Sequence, residues 1–462
     1  MIHYVSTRGQ AGRRSFEDVL LAGLAEDGGL FVPETWPSFT AEELRACCGL
    51  DYPALAARLL APFTVGCFDE ADLRRLAERA YADFDHPTTA PLRHLGRDAW
   101  LLELFHGPTL AFKDFAMQLL AAMFDEVLRR RGEQVTIVGA TSGDTGAAAV
   151  HAFAGKAQVK IAMLHPEGRV SPVQRRQMTT VHAPNLLNIA IRGTFDDCQD
   201  LVKAMFADAA FRHEQRITAV NSINWARVVA QAVYYVWAAL RLGAPDRAIA
   251  FTVPTGNFGN VFAGRVAAAM GLPVAKLVVA TNENDILARF FASGRYERGT
   301  VVPTTSPSMD IQVASNFERL LLELDGGDAA RTRGRMQGFA QSGGIALDGP
   351  LPGLFAGGGA DQAEVAATIA STLRATGELV DPHTAVGLAV AARNEPEAGV
   401  PMVTLATAHP AKFPDAVVAA TGVEPRLPER YADLMQRPER SLTLDNDLAA
   451  VEAAVRDGLK SA

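Results

Sequence analysis

Residues 135–146 read Val-Thr-Ile-Val-Gly-Ala-Thr-Ser-Gly-Asp-Thr-Gly, and this stretch decides the fold class. The β-branched residues at its start predict a buried strand, a glycine-rich turn follows, and the apolar residues up to Phe153 predict a helix. A second unit of this kind lies further along the chain, where a strand at 248–253 leads into a turn at 254–260 and a helix through Met270. Strands that alternate with helices in this way indicate an α/β fold with mostly parallel sheets.

Other segments continue this alternation. Apolar runs at 100–104, 159–164, 274–280 and 402–406 predict further strands. We therefore expect an α/β fold of two open, twisted, mostly parallel sheets with flanking helices facing a cleft, together with a mainly helical N-terminal domain. The glycine run at 357–359 is interpreted as either a mobile lid or a simple turn.

The length of 462 residues exceeds what one hydrophobic core supports, so several domains are expected. Near the start, Ser15 predicts the cap of a helix that runs through Leu24 and ends at 27–29. We expect four parts: a mainly helical N-terminal domain at 1–90, an α/β domain at 91–225, a second α/β domain at 226–430, and a C-terminal helical tail at 431–462.

Composition excludes several classes of protein. A net charge of −8 argues against a nucleic-acid or anionic-membrane partner. Cys47, Cys48, Cys67 and Cys198 form no metal-binding or disulfide pattern, so we expect no metal and a cytoplasmic location. The chain start lacks the apolar core of a signal peptide, and the longest apolar run, 228–240, is too short to span a membrane. That run predicts a buried core helix.

A second informative stretch, at 106–115, reads His-Gly-Pro-Thr-Leu-Ala-Phe-Lys-Asp-Phe. Apolar residues then recur at helical spacing, with Asp114 as the predicted N-cap and Gly132 as the predicted stop. Burial and the positive end of the helix both favour a neutral amine on Lys113, which Schiff-base chemistry requires, whereas Asp114 favours the charged form. For a lysine considered alone, a surface residue at a helix start is the simpler interpretation.

Both glycine-rich turns predict anion sites, because they open helices whose first backbone amides lack acceptors. Hydroxyls of Thr141, Ser142 and Thr145 add donors to the first turn, and the amides of Asn257 and Asn260 add donors to the second. Neither turn has the lysine of a P-loop or the full G-x-G-x-x-G spacing of a dinucleotide site. Each turn in isolation is also explained by packing alone, so both interpretations remain open at this point.

Taken together, these segments resemble the threonine synthase family, pyridoxal-phosphate enzymes of the tryptophan-synthase-β fold type. The resemblance is to the longer bacterial and fungal form, and it runs from the N-terminal segment through most of the chain. The segments that carry it are 4–9, 106–115, 139–146, 221–227, 256–260, 308–310, 315–319, 381–385 and 406–410. Three of these segments distinguish this family from others of the same fold type: 4–9, the Asn-Trp-Ala-Arg segment at 224–227 and the Ala-His-Pro segment at 408–410.

The resemblance implies a role for each part of the site. Lys113 would hold pyridoxal 5'-phosphate through a Schiff base, and Thr407 would meet its pyridine nitrogen. The cofactor's phosphate would bind the backbone amides of Gly256, Asn257, Phe258, Gly259 and Asn260. The α-carboxylate of the substrate would bind Ser142, Gly143, Asp144 and Thr145.

The implied reaction converts O-phospho-L-homoserine and water to L-threonine and phosphate, with Lys113 as the carrier of the Cα proton. Arg227 is the first candidate for the substrate phosphate, because a guanidinium binds phosphate through two hydrogen bonds. The residues that could assist it are Asn221, Ser222, Asn224 and Lys412. The resemblance also favours a monomer.

Three alternatives remain open. The chain could be a serine or threonine dehydratase or an amino-phospholyase of the same fold, a catalytically silent binding relative, or, last, a dinucleotide-binding oxidoreductase. Single residues also have plainer interpretations: Lys412 as a solvated lysine or even the Schiff-base residue, His409 as a partner of a backbone carbonyl in a turn, and Glu318 with Arg319 as a structural ion pair.

Overall fold

The computed structural model describes residues 2–347, 349 and 351–459. Its strands are β1 (Tyr4–Ser6), β2 (Phe31–Pro33), β3 (Leu92–Gly96), β4 (Ala99–Glu103), β5 (Val135–Ala140), β6 (Val159–Pro166), β7 (Leu186–Arg192), β8 (Ile217–Thr218), β9 (Ile249–Pro254), β10 (Val274–Thr281), β11 (Arg295–Glu297), β12 (Gly344–Ala346), β13 (Phe355–Gly359), β14 (Met402–Ala406) and β15 (Leu442–Asp445).

The helices are α1 (Phe16–Ala22), α2 (Ala41–Ala46), α3 (Tyr52–Leu60), α4 (Glu70–Tyr81), α5 (Lys113–Arg131), α6 (Asp144–Phe153), α7 (Pro172–Thr179), α8 (Phe195–Ala207), α9 (Ala209–Gln215), α10 (Trp225–Arg241), α11 (Gly259–Ala269), α12 (Ile286–Ser293), α13 (Phe317–Leu324), α14 (Ala329–Ser342), α15 (Gln362–Thr376), α16 (Pro382–Ala391), α17 (Pro414–Thr421) and α18 (Leu448–Gly458). Within the described residues, the chain forms two compact units. The first holds residues up to 78, 84–106 and 222–425, and the second holds 79–83, 107–221 and the chain from 426 onward.

The first unit is built on a six-stranded sheet in the order β13-β10-β9-β14-β4-β3. Every neighbouring pair is parallel except β3 with β4 at one edge. Central strands β9 and β14 are buried along their whole length, as expected for parallel strands covered on both faces. Helix α10 is buried from Trp225 to Leu240, which confirms the predicted core helix.

The second unit is built on a five-stranded sheet in the order β15-β7-β6-β5-β8, and all of its pairs are parallel. Its core includes Val138, Leu164, Ile189 and Ile191 from the strands, packed with Val451 of α18. The two mostly parallel sheets with flanking helices confirm the predicted α/β class.

Several local expectations differ from the structure. Ser15 caps α1 as predicted, with a capping box to Asp18, but the helix ends at Gly23 rather than at 27–29. The glycine run at 357–359 is neither a lid nor a turn, because it forms the end of β13 and pairs with β10. Glycine suits the strand here because a Cβ at Gly357 would lie 3.0 Å from Phe291 Cβ, which leaves little room for a side chain.

The predicted ion pair between Glu318 and Arg319 is also wrong. Glu318 instead accepts hydrogen bonds from Thr7 Oγ1 at 2.6 Å and from both Nε and Nη2 of Arg8 at 2.9 Å. Arg319 is fully buried and donates to the carbonyl oxygens of Phe31 and Ile223. Both residues therefore tie the N-terminal segment and α10 to α13, within the first unit.

The C-terminal segment combines β15, which extends the second unit's sheet beside β7, with helix α18. Residues 460–462 of the predicted tail lie outside the described residues. The division into four domains stays a prediction. Across the described part of the chain, no helix is both long enough and apolar enough to cross a membrane.

Replacing Gly387 in α16 by alanine should destabilise the protein by about 1–3 kcal/mol, because overpacking a rigid core site strains it. A Cβ at this position would lie 2.8 Å from Thr404 Cγ2 and 2.9 Å from Pro254 Cγ. The measurement is the midpoint of urea denaturation. Gly334→Ala in α14 is the matched control, since no atom lies within 4 Å of its added Cβ. We expect that control to be neutral or stabilising; equal stability of the two variants would contradict the packing described here.

Candidate active site

Lys113 is the first residue of α5, and a tight buried turn fixes where that helix begins. Leu110 has a left-handed backbone with φ of 59°, and Gly107 packs so closely that a Cβ would lie 2.4 Å from Asp114 Cβ. The buried Asp114 carboxylate accepts hydrogen bonds from the Thr109 amide at 2.8 Å and the Thr109 hydroxyl at 2.7 Å.

The prediction of Asp114 as the N-cap of α5 is therefore wrong. The N-cap is Phe112, which makes no side-chain cap, and the Asp114 carboxylate braces the preceding turn instead. A sequence pattern cannot distinguish these two uses, because Asp serves both caps and turns. The predicted stop at Gly132 is confirmed, with a left-handed φ of 65°.

The amine of Lys113 lies against the first glycine-rich turn. Its Nζ is 3.3 Å from Asp144 Oδ2 and 5.4 Å from the centre of the Phe112 ring. The Lys113 side chain is 12% exposed. The structure thus brings two of the residues predicted for the site, Lys113 and Asp144, into direct contact within the second unit.

The first turn uses Thr141 to hold its own shape. The Thr141 hydroxyl oxygen accepts from the amides of Gly143 at 3.0 Å and Gly146 at 2.9 Å, and the hydroxyl donates to the Gly143 carbonyl at 3.2 Å. The donor that the sequence predicted on Thr141 is therefore used within the turn. A Cβ at Gly146 would lie 2.3 Å from Thr141 Cγ2. Helix α6 begins at Asp144, and the amides of Asp144 and Thr145 in its first turn have no acceptor within the helix. The anion site that the sequence places at these amides stays a prediction.

Gln174, which sequence reasoning missed, also contacts this turn. Its Nε2 donates to Asp144 Oδ1 at 2.7 Å, and Gly143 packs directly against its amide. Gln174 lies in α7, far from any glycine motif, so no local sequence signal indicates it.

In the first unit, the second turn joins β9 to α11. Phe258 has a left-handed φ of 63° and is fully buried at the N-cap of α11. The turn is held by Asn316, whose Nδ2 donates to the Asn257 carbonyl at 3.2 Å. A Cβ at Gly259 would lie 3.1 Å from Asn316 Nδ2, so a side chain there would press on the amide that holds the turn. Glycine thus lets the turn present its amides at the start of the helix.

Asn260 supplies the clearest fit to a bound phosphate. Its Oδ1 accepts hydrogen bonds from the hydroxyls of Tyr234 at 2.6 Å and Tyr235 at 2.9 Å. Its Nδ2 is buried and has no hydrogen-bond partner among the described residues. Because a buried polar donor without an acceptor is costly, this amide at a helix N-terminus fits a bound anion such as the cofactor's phosphate.

Thr407 directly follows β14 and is 5% exposed. The sequence suggested that His409 satisfies a backbone carbonyl in a turn. In the structure, its Nδ1 instead accepts a hydrogen bond from the Ala411 amide at 3.2 Å. Burial, with the neighbouring charge of His106, lowers the pKa of His409 to about 4. Lys412 is completely buried, so the interpretation as a solvated lysine is wrong.

His106 joins a cluster of charged groups in the first unit. Its Nδ1 lies 2.9 Å from Asp85 Oδ1, and its Nε2 lies 2.7 Å from Glu103 Oε2. Burial acts to lower the pKa of His106, but the hydrogen bonds to both carboxylates outweigh burial and raise it. His106 therefore has a structural ionic role in the segment before Lys113.

The four residues predicted for the substrate phosphate have different environments. Asn221 is exposed, and Ser222 Oγ lies 3.4 Å from Ser315 Oγ, which in turn donates to Asn257 of the second turn. Asn224 caps α10 through the Ala226 amide and also donates to the Leu20 carbonyl at 2.9 Å. The oxygen and the nitrogen of the Asn224 amide thus both bond to backbone groups, and we do not include Asn224 among the residues proposed for the phosphate.

Arg227 is 2% exposed, and its Nε and Nη1 have no hydrogen-bond partner among the described residues. Burial lowers the pKa of Arg227 to about 10, so it remains charged at neutral pH. A buried guanidinium without a counter-charge is costly, and a bound anion would offset that cost.

Comparison with known proteins identifies the family of the chain. "Threonine synthase N terminus" matches residues 3–81, "Pyridoxal-phosphate dependent enzyme" matches 85–350, and "Threonine synthase, C-terminal" matches 384–455. A Pseudomonas aeruginosa protein named threonine synthase is 53% identical over 459 residues, covering 98% of each chain.

The chain belongs to the threonine synthase family. Among solved structures, the pyridoxal-phosphate-bound threonine synthase of Brucella melitensis has a TM-score of 0.98 at 55% identity and covers 100% of both chains. The yeast threonine synthase has a TM-score of 0.93 at 37% identity, covering 99% of this chain and 98% of that one. The predicted family, the dependence on pyridoxal phosphate and the assignment as a threonine synthase, a lyase, are confirmed.

Tyr234→Phe should weaken binding of pyridoxal phosphate about fivefold, because it removes one of the two hydrogen bonds of about 1 kcal/mol that orient the Asn260 amide, and leaves only the one from Tyr235. The measurement is the dissociation constant of the cofactor from the apoprotein, followed by absorbance. Tyr4→Phe is the control, since Tyr4 also loses a buried hydrogen bond, to the Phe63 carbonyl, away from this turn. Equal affinity in Tyr234→Phe and the wild type would show that Asn260 does not meet the phosphate.

Proposed function

We propose that the chain converts O-phospho-L-homoserine and water to L-threonine and phosphate. The observation that carries this proposal is the contact of the Lys113 amine with the start of α6. That contact puts a nucleophilic amine beside backbone amides suited to an amino-acid carboxylate.

The residues fit pyridoxal phosphate in three places. Lys113 would hold it through a Schiff base, and Thr407 would face its ring nitrogen with a hydroxyl, which need not keep that nitrogen protonated as a carboxylate would. The residues that would hold its phosphate are Gly256, Asn257, Phe258, Gly259 and Asn260. When bound, the cofactor supplies an electron sink for the negative charge left on the substrate carbons.

The substrate's α-carboxylate would bind at Ser142, Gly143, Asp144 and Thr145. The backbone amides of Ser142, Asp144 and Thr145 and the exposed Ser142 hydroxyl would donate to it, while Gly143, whose amide is taken by Thr141, would let it approach the backbone. The carboxylate of Asp144 itself would take no part, because it is turned towards Lys113 and Gln174. Two carboxylates in contact would repel each other.

Lys113 would also move protons. Phosphate leaves from Cγ, which requires negative charge at Cβ and therefore prior removal of the Cα proton. The Lys113 Nζ, once released from the cofactor, is the base that takes that proton. In the product, Cγ is a methyl group, Cβ carries the hydroxyl from water, and Cα carries a hydrogen again. One proton is therefore lost from Cβ and one is gained at Cγ, the second proton of water leaves with phosphate, and Nζ returns to Cα the proton that it took.

Arg227 would bind the substrate's phosphate, assisted by Ser222 and Asn221. Its guanidinium is buried, charged and short of hydrogen-bond acceptors. A phosphate dianion offers oxygens to several donors at once and neutralises the buried charge. Ser222 is linked through Ser315 to the second glycine-rich turn, and both Ser222 and Arg227 belong to the first unit, which supports a binding region for phosphate groups there.

Three broader proposals accompany this function. We place the protein in the cytoplasm, supported by the spacing of its four cysteines, which gives no disulfide pattern. We propose that it acts as a monomer, and that its domains divide near residues 90, 225 and 430 as the sequence predicts.

Lys113→Ala should lower kcat for threonine formation by about 10³-fold or more, because it removes both the Schiff base and the proton carrier. The assay follows threonine and phosphate released from O-phospho-L-homoserine. Lys203→Ala, which removes an exposed lysine paired with Asp200, is the control. If the wild type releases a keto acid and ammonia in place of threonine, the dehydratase alternative is correct.

Arg227→Gln should raise KM for O-phospho-L-homoserine about tenfold or more, since a charged hydrogen bond contributes about 1.5–3 kcal/mol. The control is Arg241→Gln, at the other end of α10. If KM is unchanged while the protein is folded, the substrate's phosphate binds elsewhere.

A further inference from the structure

The turn that contains Asp144 is suited to binding an anion, but the Asp144 side chain is itself an anion and contacts other groups. Asp144 is 6% exposed, and its carboxylate lies between the side chains of Lys113 and Gln174. Oδ2 lies 3.3 Å from Lys113 Nζ, and Oδ1 accepts from Gln174 Nε2 at 2.7 Å. A buried carboxylate held at both oxygens has a fixed orientation.

Gln174 is itself held in one orientation. Ser171 Oγ donates to Gln174 Oε1 at 3.0 Å, which directs Nε2 towards Asp144. Ser171 also caps α7 by accepting from the Gln174 amide at 3.3 Å, so the side chain is fixed to the start of that helix. A Cβ at Gly143 would lie 2.6 Å from Gln174 Cδ, so the Gln174 amide packs directly on the backbone of the turn.

The chain of contacts runs from Ser171 through Gln174 and Asp144 to Lys113, all within the second unit. The binding of a substrate carboxylate does not need this chain of contacts, because the Asp144 carboxylate repels an anion at the turn, whereas the backbone amides and the Ser142 hydroxyl attract it. What the contacts do supply is a fixed negative charge beside one nitrogen, as the buried carboxylate of a hydrolase triad supplies beside its histidine.

We propose that Asp144, oriented by Gln174, stabilises positive charge on Lys113 Nζ, both in the Schiff base and in the free ammonium that forms during turnover. This inference rests on the proposed function. When Nζ takes the Cα proton, an N–H bond forms, the C–H bond breaks, and its electron pair stays on the substrate. Asp144 accepts a hydrogen bond from the resulting ammonium and keeps that proton near the substrate until it is returned. Asp144 and Gln174 are thus positioning residues for Lys113.

The test is a pH titration of the visible absorption of the holoenzyme without substrate, which reports the proton on the Schiff-base nitrogen rather than activity. Asp144→Asn removes the charge but keeps the shape. We expect the midpoint to fall by about 1 pH unit or more, since an opposite charge at this distance shifts a titration by about 1–3 units. Gln174→Met keeps the charge of Asp144 but removes the hydrogen bond that orients its carboxylate. We therefore expect the midpoint to fall in this variant too, by less than in Asp144→Asn.

Asp144→Glu, which retains a carboxylate, should restore most of the wild-type midpoint. The matched control is Asp125→Asn, which removes a carboxylate from the same helix as Lys113, about 18 Å further along its axis. An unchanged midpoint in Asp144→Asn with the cofactor bound overturns the inference. If that variant does not bind the cofactor, an unchanged midpoint in Gln174→Met overturns it. A wild type with no Schiff-base absorption would instead overturn the proposed function.

Discussion

The two hydrogen bonds from Thr109 to the buried Asp114 carboxylate determine where α5 begins, and the position of Lys113 depends on them. A helix that started one residue earlier or later would rotate Lys113 by about 100° around the helix axis, away from the first glycine-rich turn. The turn before the helix is secured from its other side too, because Leu110 packs in a small cluster with Tyr431 and Leu434 of the C-terminal segment. The reactive amine is therefore placed by groups that have no chemical role of their own.

Both glycine-rich turns follow one physical rule with different residues. In each, a backbone close to neighbouring side chains requires glycine, and a separate polar group shapes the turn: Thr141 in the first and Asn316 in the second. This leaves the helix N-terminal amides directed at a ligand. Two of the residues with an unsatisfied polar atom, Asn260 and Arg227, are buried in the first unit, and each is suited to an anion.

Much of this could be predicted from the sequence. Strand and helix positions, both glycine-rich turns and the buried α10 follow from periodicity and residue type, and Lys113 follows from its apolar setting and from the family resemblance. The roles of Asp114 and Asp144 could not be predicted, because a carboxylate's partner is set by tertiary contacts rather than by its neighbours in sequence. Gln174 had no signal at all, since a lone glutamine in a helix has no characteristic pattern.

The second unit has a consequence for how the protein is made. Its sheet is formed by strands from the segment 107–221, but its edge strand β15 comes from the far end of the chain, after the whole of the first unit's 222–425 segment. Domains usually fold in the order of their synthesis. Here the residues that complete the sheet and pack on Leu110 leave the ribosome after the whole 222–425 segment, so the unit that carries Lys113 reaches its final form only after most of the first unit has been made. Until then the helix that bears the amine packs beside an incomplete sheet.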